Sequence, residues 1–455
     1  MNLEVIILAA GRGTRMKSSL PKVLHKVAGR PLLEHVVLAA QALQPVAIHV
    51  VVGHGAPQVE AAMSGYELLW VTQQEQLGTG HAVLQALPAI RGDSTVLILY
   101  GDVPLISAQT LSALVAQAQT APALLTACVE NPQGLGRIVR NEAGLLLEVV
   151  EEKDASPLQS QIREINTGVL AAPATDLNDY LPQVGNDNKQ GEYYLPDILG
   201  LAVKAGKTIG SCEAHSELEV QGVNDRAQLN QVEREYQRQQ ANTLMRNGVS
   251  VADVNRLDIR GVLRCGADVS IDVNVVIEGE VTLGNGVSIG PNCVLIDVNV
   301  GDGAAIHAFS HLQESTIGKN CSVGPYARLR PGTCLGDAAR VGNFVEVKKS
   351  NIGAGSKVNH LSYIGDCEMG AGVNIGAGTI TCNYDGVNKS ATNIGDGVFV
   401  GSNSTLVAPL TIADGGFVGA GSTVTKAVGK NELAVSRARQ KNIQGWRRPT
   451  KKAGE

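Results

Sequence analysis

Two stretches of this sequence carry residue types that could do chemistry. The first is "LAAGRGTRMKSSLPK", Leu8 to Lys22, which continues the apolar run "LEVII". A strand, a glycine-rich turn and then basic residues is the order a phosphate-holding loop needs. Gly11 and Gly13 let the backbone approach phosphates and aim N–H groups at them, while Arg15 and Lys22 add positive charge. The stretch is not a Walker loop, because no Gly-Lys-Ser/Thr ends it. It is not the dinucleotide Gly-x-Gly-x-x-Gly either, because Met16 stands where the third glycine belongs. Asp102 in "YGDVPL" comes just past the apolar run "VLILY". A carboxylate there suits Mg²⁺, a hard cation that keeps waters and bridges phosphate oxygens. Taken singly, Asp102 reads as a turn residue, Asn224 as a helix N-cap and Lys22 as a surface lysine. Their combination points to phosphate chemistry.

The second stretch is "KVNHLSYIGD", centred on His360. Upstream, Arg330 and Lys348 follow two aliphatic residues, Leu329 and Val347, that are eighteen positions apart. In a chain that repeats in sixes, eighteen residues make one coil, so the two cations are expected to stack roughly 5 Å apart. Stacked cations repel unless an anion lies between them or a carboxylate adjoins, and Glu346, Arg328 and Lys349 are close in sequence. The alternative is a solvated charged face. Val358 takes the aliphatic core position, so His360 points away from the interior.

These side chains need elements to hold them. Over residues 1–223, "VIILAA", "AIHVVV", "ELLWVT" and "STVLILY" read as buried parallel strands, and "PLLEHVVLAAQAL" as a crossover helix. That is a doubly wound, Rossmann-like α/β sheet, whose ligands bind at the carboxyl ends of the strands. Residues 224–247 read as one amphipathic linker helix, apolar at Leu229, Val232, Tyr236 and Leu244 and closed by Gly248. Residues 248–455 repeat in sixes. Ile317, Val323, Leu329, Leu335, Val341 and Val347 are evenly spaced, and Cys321, Ala327, Thr333, Ala339 and Val345 follow the first five by four positions. A second run goes from Ile394 to Val424. This is a hexapeptide parallel β-helix pattern. About ten coils would reach roughly 48 Å. The register slips between Ile364 and Met369, and "CNYDGVNKSAT" reads as a projecting loop.

Composition narrows the partners. The chain has 455 residues and a formal net charge of -5, which argues against bulk nucleic-acid or membrane binding. Its 52 glycines and 3% aromatic content fit a tight, repetitive backbone. The eight cysteines form no Cys-x-x-Cys pair, so neither a disulfide framework nor a zinc site is expected, and a cytoplasmic protein is. The first residues lack a basic segment like that of a signal peptide, and no apolar run is long enough to span a bilayer.

The motifs "LAAGRGTRM…LPK", "QLGTGHA", "YGDVPL", "EEKD", "INTGV" and "GEYYLPDI", in this order, resemble sugar-1-phosphate nucleotidyltransferases across nearly all of the first 223 residues. With the hexapeptide half attached, the whole chain resembles the bifunctional bacterial N-acetylglucosamine-1-phosphate uridylyltransferase/glucosamine-1-phosphate N-acetyltransferase family. The resemblance implies a left-handed β-helix, a homotrimer with sites between subunits, and two reactions. Acetyl-CoA would acetylate glucosamine-1-phosphate, and UTP would then couple to N-acetylglucosamine-1-phosphate with release of pyrophosphate.

Carried over by motif, Leu8, Ala9, Ala10, Gly11 and Lys22 would hold the nucleotide, with Arg15 and Lys22 serving catalysis. Gln73, Gly78 and Thr79 would hold the uracil, and Tyr100, Gly101 and Asp102 would follow. Asp102 and Asn224 would hold Mg²⁺, and Gly136, Glu151 and Asn166 would face the sugar. In the second half, His360 would be the general base, with Arg330, Lys348, Tyr363 and Asn374 on the amino-sugar phosphate. Ala377, Asn383, Tyr384, Ser402, Ala420 and Arg437 would contact acetyl-CoA. Cys382 is a rival, covalent acceptor, but no basic residue adjoins it in sequence to make the thiolate. A single-activity nucleotidyltransferase with a structural or regulatory β-helix is the alternative reading.

Overall fold

A computed structural model describes residues 2–451. The chain divides between Gln239 and Gln240 into two compact units.

The first unit is built on one sheet. Across it the main path runs Gly210–Glu213, Ala123–Cys128, Glu164–Pro173, Ser94–Tyr100, Asn2–Leu8, Ala47–Val52 and Leu69–Thr72. Asn2–Leu8 has parallel neighbours on both sides, Ala47–Val52 and Ser94–Tyr100. The chain winds away to one side of this strand and returns on the other. A crevice therefore opens where Leu8 and Tyr100 end, the place where open α/β sheets take their ligands. The strand's interior residues Val5, Ile6 and Ile7 are fully buried, as the apolar run requires. The helix Leu32–Gln41 follows Pro31 and buries Leu32, Leu33, Val36, Val37 and Ala40 along one stripe.

Two details depart from the sequence reading. Glu164–Pro173 lies antiparallel to both neighbours, so the sheet is mixed. "ELLWVT" is not a buried strand. Its structured part, Leu69–Thr72, is the sheet edge and leaves Leu69 exposed, because no strand lies beyond it to cover that side.

The helix Arg226–Arg246 starts on Asp225, whose Oδ1 accepts the N–H groups of Ala227 and Gln228 at 2.9 Å each. Asp225 is thus the N-cap. Asn224, the residue read as a possible cap, keeps its side chain for other work. Within the first unit, Val232 is buried and Tyr236 meets His35 edge-on at 4.9 Å.

The second unit is a parallel β-helix. Its short strands pair in register one coil on, as in Leu312 with Leu329, Leu329 with Val347 and Val347 with Ile364. This column is fully buried. The small inward positions carry several hydroxyls, among them Thr333, Ser350 and Thr379, which donate to the backbone carbonyls of Arg330, Lys348 and Gly376 at 2.7–2.8 Å. These three buried hydroxyls are tolerated because each finds an acceptor, whereas those of Ser310, Ser315 and Thr392 are buried with no partner among the described residues. The loop at 383–391 is a true insertion: Cys367 pairs with Thr392 across it, a much longer coil than the rest. Leu329→Ala should cost about 2–5 kcal/mol by opening a cavity in the column. The check is a lower urea midpoint for the transition of this unit.

Among the described residues, no helix is long and apolar enough to cross a membrane.

Candidate functional sites

In the first unit the crevice is closed by three segments that meet at two strand ends. Ala9 N–H donates to Val51 O at 2.8 Å, and Gly101 N–H donates to Leu8 O at 3.0 Å. Val223 N–H donates to Asp102 O at 2.9 Å, which brings Asn224 beside the strand end. Gly13 has φ of +60°, and a Cβ there would stand 2.7 Å from Lys22 Cβ. Only glycine allows that turn to fold Lys22 inward.

The result is a compact charge cluster. Lys22 Nζ is paired with Asp102 Oδ2, and both side chains are largely buried. Lys22 Nζ also reaches Asn224 Oδ1 at 3.4 Å, and Arg15 Nη2 donates to the same oxygen at 2.9 Å. Two cations and two oxygen donors from distant parts of the chain therefore meet where the loop faces the crevice. Among the described residues, no cluster of three or more His, Cys, Asp or Glu side chains is placed to hold a metal alone. One carboxylate and one amide oxygen suit a cation that keeps waters and takes substrate phosphates as its other ligands, which is the habit of Mg²⁺.

Two cavities adjoin this cluster. One, of about 450 Å³, is lined by Leu8, Ala9, Ala10, Gly11, Lys22, Gln73, Gly78, Thr79, Tyr100 and Asp102, which gathers the residues expected at the nucleotide. Gly101 packs against Leu33, Val23 and Ala9. The other, of about 360 Å³, shares Tyr100 and Asp102 and includes Asn166 and Asn224. Asn166 N–H donates to Gly136 O at 2.9 Å, and a Cβ on Gly136 would lie 3.1 Å from Glu151 Oε1, so the three expected sugar residues are neighbours. Burial, then Asp197 and Asp154, push the Glu151 carboxyl up, against Arg137. Burial and the Asp102 charge push the Tyr100 phenol up, so it stays a proton donor. The segment "GEYYLPDI" braces the nucleotide side, with Gly80 N–H donating to Tyr193 O at 2.8 Å.

In the second unit His360 ends the strand Lys357–His360 and is exposed. Its Nδ1 faces Asn343 Oδ1 of the preceding coil at 3.2 Å. An amide oxygen can only accept, so Nδ1 carries the proton and Nε2 keeps a free lone pair. Nearby, Asn383 Nδ2 donates to Asp366 Oδ2 at 2.5 Å and reaches the Tyr363 hydroxyl at 3.4 Å. Arg330 and Lys348 follow strand residues that are in register one coil apart, as the spacing required. Arg330 pairs with Glu346 at 3.0 Å. Lys348 instead meets Lys389, returned by the inserted loop, where Tyr384 and Lys389 pair across a small hairpin. The Lys348 ammonium pushes Lys389 below the usual lysine range. Two lysines held together on a surface call for an anion.

Ala377, Ser402 and Ala420 belong to turns of successive coils: Asn403 N–H donates to Ala377 O, Gly421 N–H to Ser402 O, and Arg437 Nη1 to Ala420 O, at 2.7, 2.8 and 2.5 Å. Asn374 lies on the other ladder, between Lys357 and Phe399, and Tyr384 is exposed at the loop tip. Cys382 is partly buried, and no hydrogen bond to its sulfur is found among the described residues.

Asn343, Asp366 and Lys389 were not singled out from sequence. Asn343 and Asp366 act through a neighbour one coil away, which the six-residue period places but does not mark as special, and Lys389 comes from the inserted loop, outside that period.

Together, a phosphate loop at a sheet's switch point and a histidine with clustered lysines on a β-helix define a two-site transferase. A family described as the MobA-like NTP transferase domain matches residues 5–164, and one described as the GMPPB C-terminal domain matches residues 259–354. The bifunctional protein GlmU of Marinobacter nauticus is 56% identical over 99% of this chain and 99% of its own length. That of Idiomarina loihiensis is 53% identical over 100% of both. The chain belongs to the bifunctional GlmU family, and it is a bifunctional enzyme.

Proposed function

We propose that this chain makes UDP-N-acetylglucosamine by two consecutive transfers. The C-terminal unit moves an acetyl group from acetyl-CoA to glucosamine-1-phosphate. The N-terminal unit then joins N-acetylglucosamine-1-phosphate to the uridylyl group of UTP and releases pyrophosphate. The observation that carries the two-activity reading is the oriented His360 ring. A β-helix kept only for support has no use for an exposed imidazole turned by Asn343, nor for Lys389 returned against Lys348 on the other ladder.

In the N-terminal unit, the backbone of Leu8–Gly11 with Lys22 and Arg15 holds the triphosphate. Gln73, Gly78 and Thr79 hold the uracil, and Gly136, Glu151 and Asn166 face the sugar. Asp102 and Asn224 would hold Mg²⁺, which would supply positive charge to offset that of the phosphates. The attacking sugar phosphate is already an anion, so no residue has to serve as a base. Lys22 and Arg15 position the chain of phosphates in line and offset the charge that builds up during transfer.

In the C-terminal unit, Arg330, Lys348, Tyr363 and Asn374 hold the amino-sugar phosphate, and Lys389 joins them. Ala377, Asn383, Tyr384, Ser402, Ala420 and Arg437 line the path of acetyl-CoA. His360 Nε2 takes the proton from the substrate ammonium, and the freed amine attacks the thioester directly. The unit works as a homotrimer. Its support is a stack of exposed rings, Phe309, Tyr326 and Phe344, at 4.9 and 5.2 Å, each on backbone with φ of 56–61°. Bulky residues rarely hold that conformation, and an exposed apolar ladder asks for a partner surface. The eight cysteines, all free thiols, support a cytoplasmic place for the protein.

The test is release of free thiol from acetyl-CoA that depends on glucosamine-1-phosphate. Thiol release only in the presence of the amino sugar is expected. No release, with uridylyl transfer intact, would leave the β-helix a structural or regulatory module.

A further inference from the structure

Beside the two facing lysines of the β-helix runs a short chain of polar groups: Asp366, Asn383 and Tyr363. Asn383 follows the strand Ile380–Cys382, which pairs with Tyr363–Gly365 one coil back. Asp366 Oδ2 meets the Asn383 amide at 2.5 Å. An ionised carboxylate has no proton to give, so the atom that faces it must be the amide nitrogen. The same nitrogen reaches the Tyr363 hydroxyl at 3.4 Å. An amide nitrogen donates and does not accept, so the phenol oxygen is the acceptor of that contact. The phenol's own proton is left to point away from Asn383, and nothing among the described residues accepts it.

Asn383 is 8% exposed, and the backbone beneath it leaves no slack. A Cβ on Gly365 would stand 2.7 Å from Tyr363 Cζ and 2.8 Å from Asn383 Nδ2, so only glycine lets the phenol and the amide lie there together. Gly365 is in register with Lys348, which puts the end of the phenol beside that lysine. Lys389 feels the Lys348 ammonium first and, in the opposite sense, Asp366 and Tyr363. A hydroxyl proton with no acceptor and two ammonium groups therefore share one patch. Three donors that converge in this way suit a phosphate.

We infer that Asp366 is a positioning residue that turns the Tyr363 hydroxyl toward the substrate phosphate by holding the Asn383 amide with its nitrogen to the phenol. This rests on the reading that the phosphate of glucosamine-1-phosphate lies at Lys348 and Lys389. Charge alone argues against a carboxylate in this place, because it repels the phosphate. Asp366 offsets that cost by ordering a donor. Its backbone has φ of +48°, a conformation that glycine adopts freely and asparagine tolerates. Its N–H donates to Lys348 O and its carbonyl accepts from Thr392 N–H, both at 3.0 Å, and substitution of the side chain leaves these bonds in place.

The experiment uses the full-length chain with Asp366→Gly, Asp366→Asn, Tyr363→Phe and Lys389→Ala, and Asp366→Gly combined with Tyr363→Phe. Thiol release gives KM for glucosamine-1-phosphate and for acetyl-CoA, and uridylyl transfer serves as the control. Tyr363→Phe should raise KM for the amino sugar about tenfold or more, as the loss of a hydrogen bond to a charged group does. Asp366→Gly keeps the hydroxyl but frees it, so the rise should be about three- to tenfold. Removal of a negative charge would by itself lower that KM, so the sign of the change separates positioning from charge. Asp366→Asn keeps an acceptor without the charge and should not raise KM. In the Tyr363→Phe chain, Asp366→Gly should raise it no further, because the group it orders is already gone. An unchanged or lowered KM in Asp366→Gly overturns the role of Asp366. So does an equal rise in Asp366→Asn, an undiminished rise in the Tyr363→Phe chain, or a rise confined to acetyl-CoA. Unchanged KM for the amino sugar in both Tyr363→Phe and Lys389→Ala instead overturns the placement of the phosphate at the lysine pair, and the inference with it. Should Asp366→Gly fail to fold, Asp366→Ala, alone and with Tyr363→Phe, is read in the same way.

Discussion

Asp102→Asn should lower uridylyl transfer by roughly 10²–10³-fold or more while leaving acetyl transfer at its full rate. The carboxylate stands just past the strand Ser94–Tyr100, in contact with Lys22, which shares the Asn224 Oδ1 acceptor with Arg15. A carboxamide is a poorer ligand for a hard cation than a carboxylate. It also leaves Lys22, a largely buried cation, with a neutral partner. Both effects fall on the triphosphate, and neither touches the second unit, whose core is its own. Pyrophosphate release assayed against Mg²⁺ should show partial recovery at high metal concentration. Near-native transfer at ordinary Mg²⁺ would remove Asp102 from the metal site.

His360→Ala should lower acetyl transfer by roughly 10²-fold or more. The side chain is exposed and, among the described residues, hydrogen-bonds only to Asn343 of the neighbouring coil, so its loss empties no interior position. The β-helix should melt as before. Uridylyl transfer needs no base and should proceed unchanged. Raising the pH should restore part of the lost rate, since more of the substrate amine is then neutral without help. An unfolded variant would make His360 structural. A folded and fully active one would pass the proton to another group, and an acetyl-enzyme lost on Cys382→Ala would then point to the covalent route.

Much of the architecture is a matter of local pattern. A period of six with aliphatic residues at Leu329, Val347 and their neighbours admits one packing, because each must fall on the same inward column of a coil, and it does. The apolar run ending at Leu8, followed by two glycines and basic residues, was enough to place a loop at a strand end. The pattern was weaker where neighbours decide. Leu69–Thr72 is as apolar as an inner strand, yet its place at the edge depends on which strands lie beside it. The direction of Glu164–Pro173 depends on how its connections cross the sheet.

By itself the sequence determined two folding units, the phosphate-type loop, the coil register and the outward side of His360. These follow from spacing within a few tens of residues. Only the tertiary structure decided what stands behind each candidate residue. Asn224 meets Lys22 and Arg15 across about two hundred residues because Val223 binds the backbone of Asp102, while Asp225 takes over the helix cap. Asn343 turns the His360 ring, and Lys389 comes back on the inserted loop to face Lys348. Such contacts join groups whose own sequence surroundings are ordinary. A hydrogen bond needs its two atoms within about 3 Å and properly aimed, a condition set by the packing of whole elements and not by the order of residues within one.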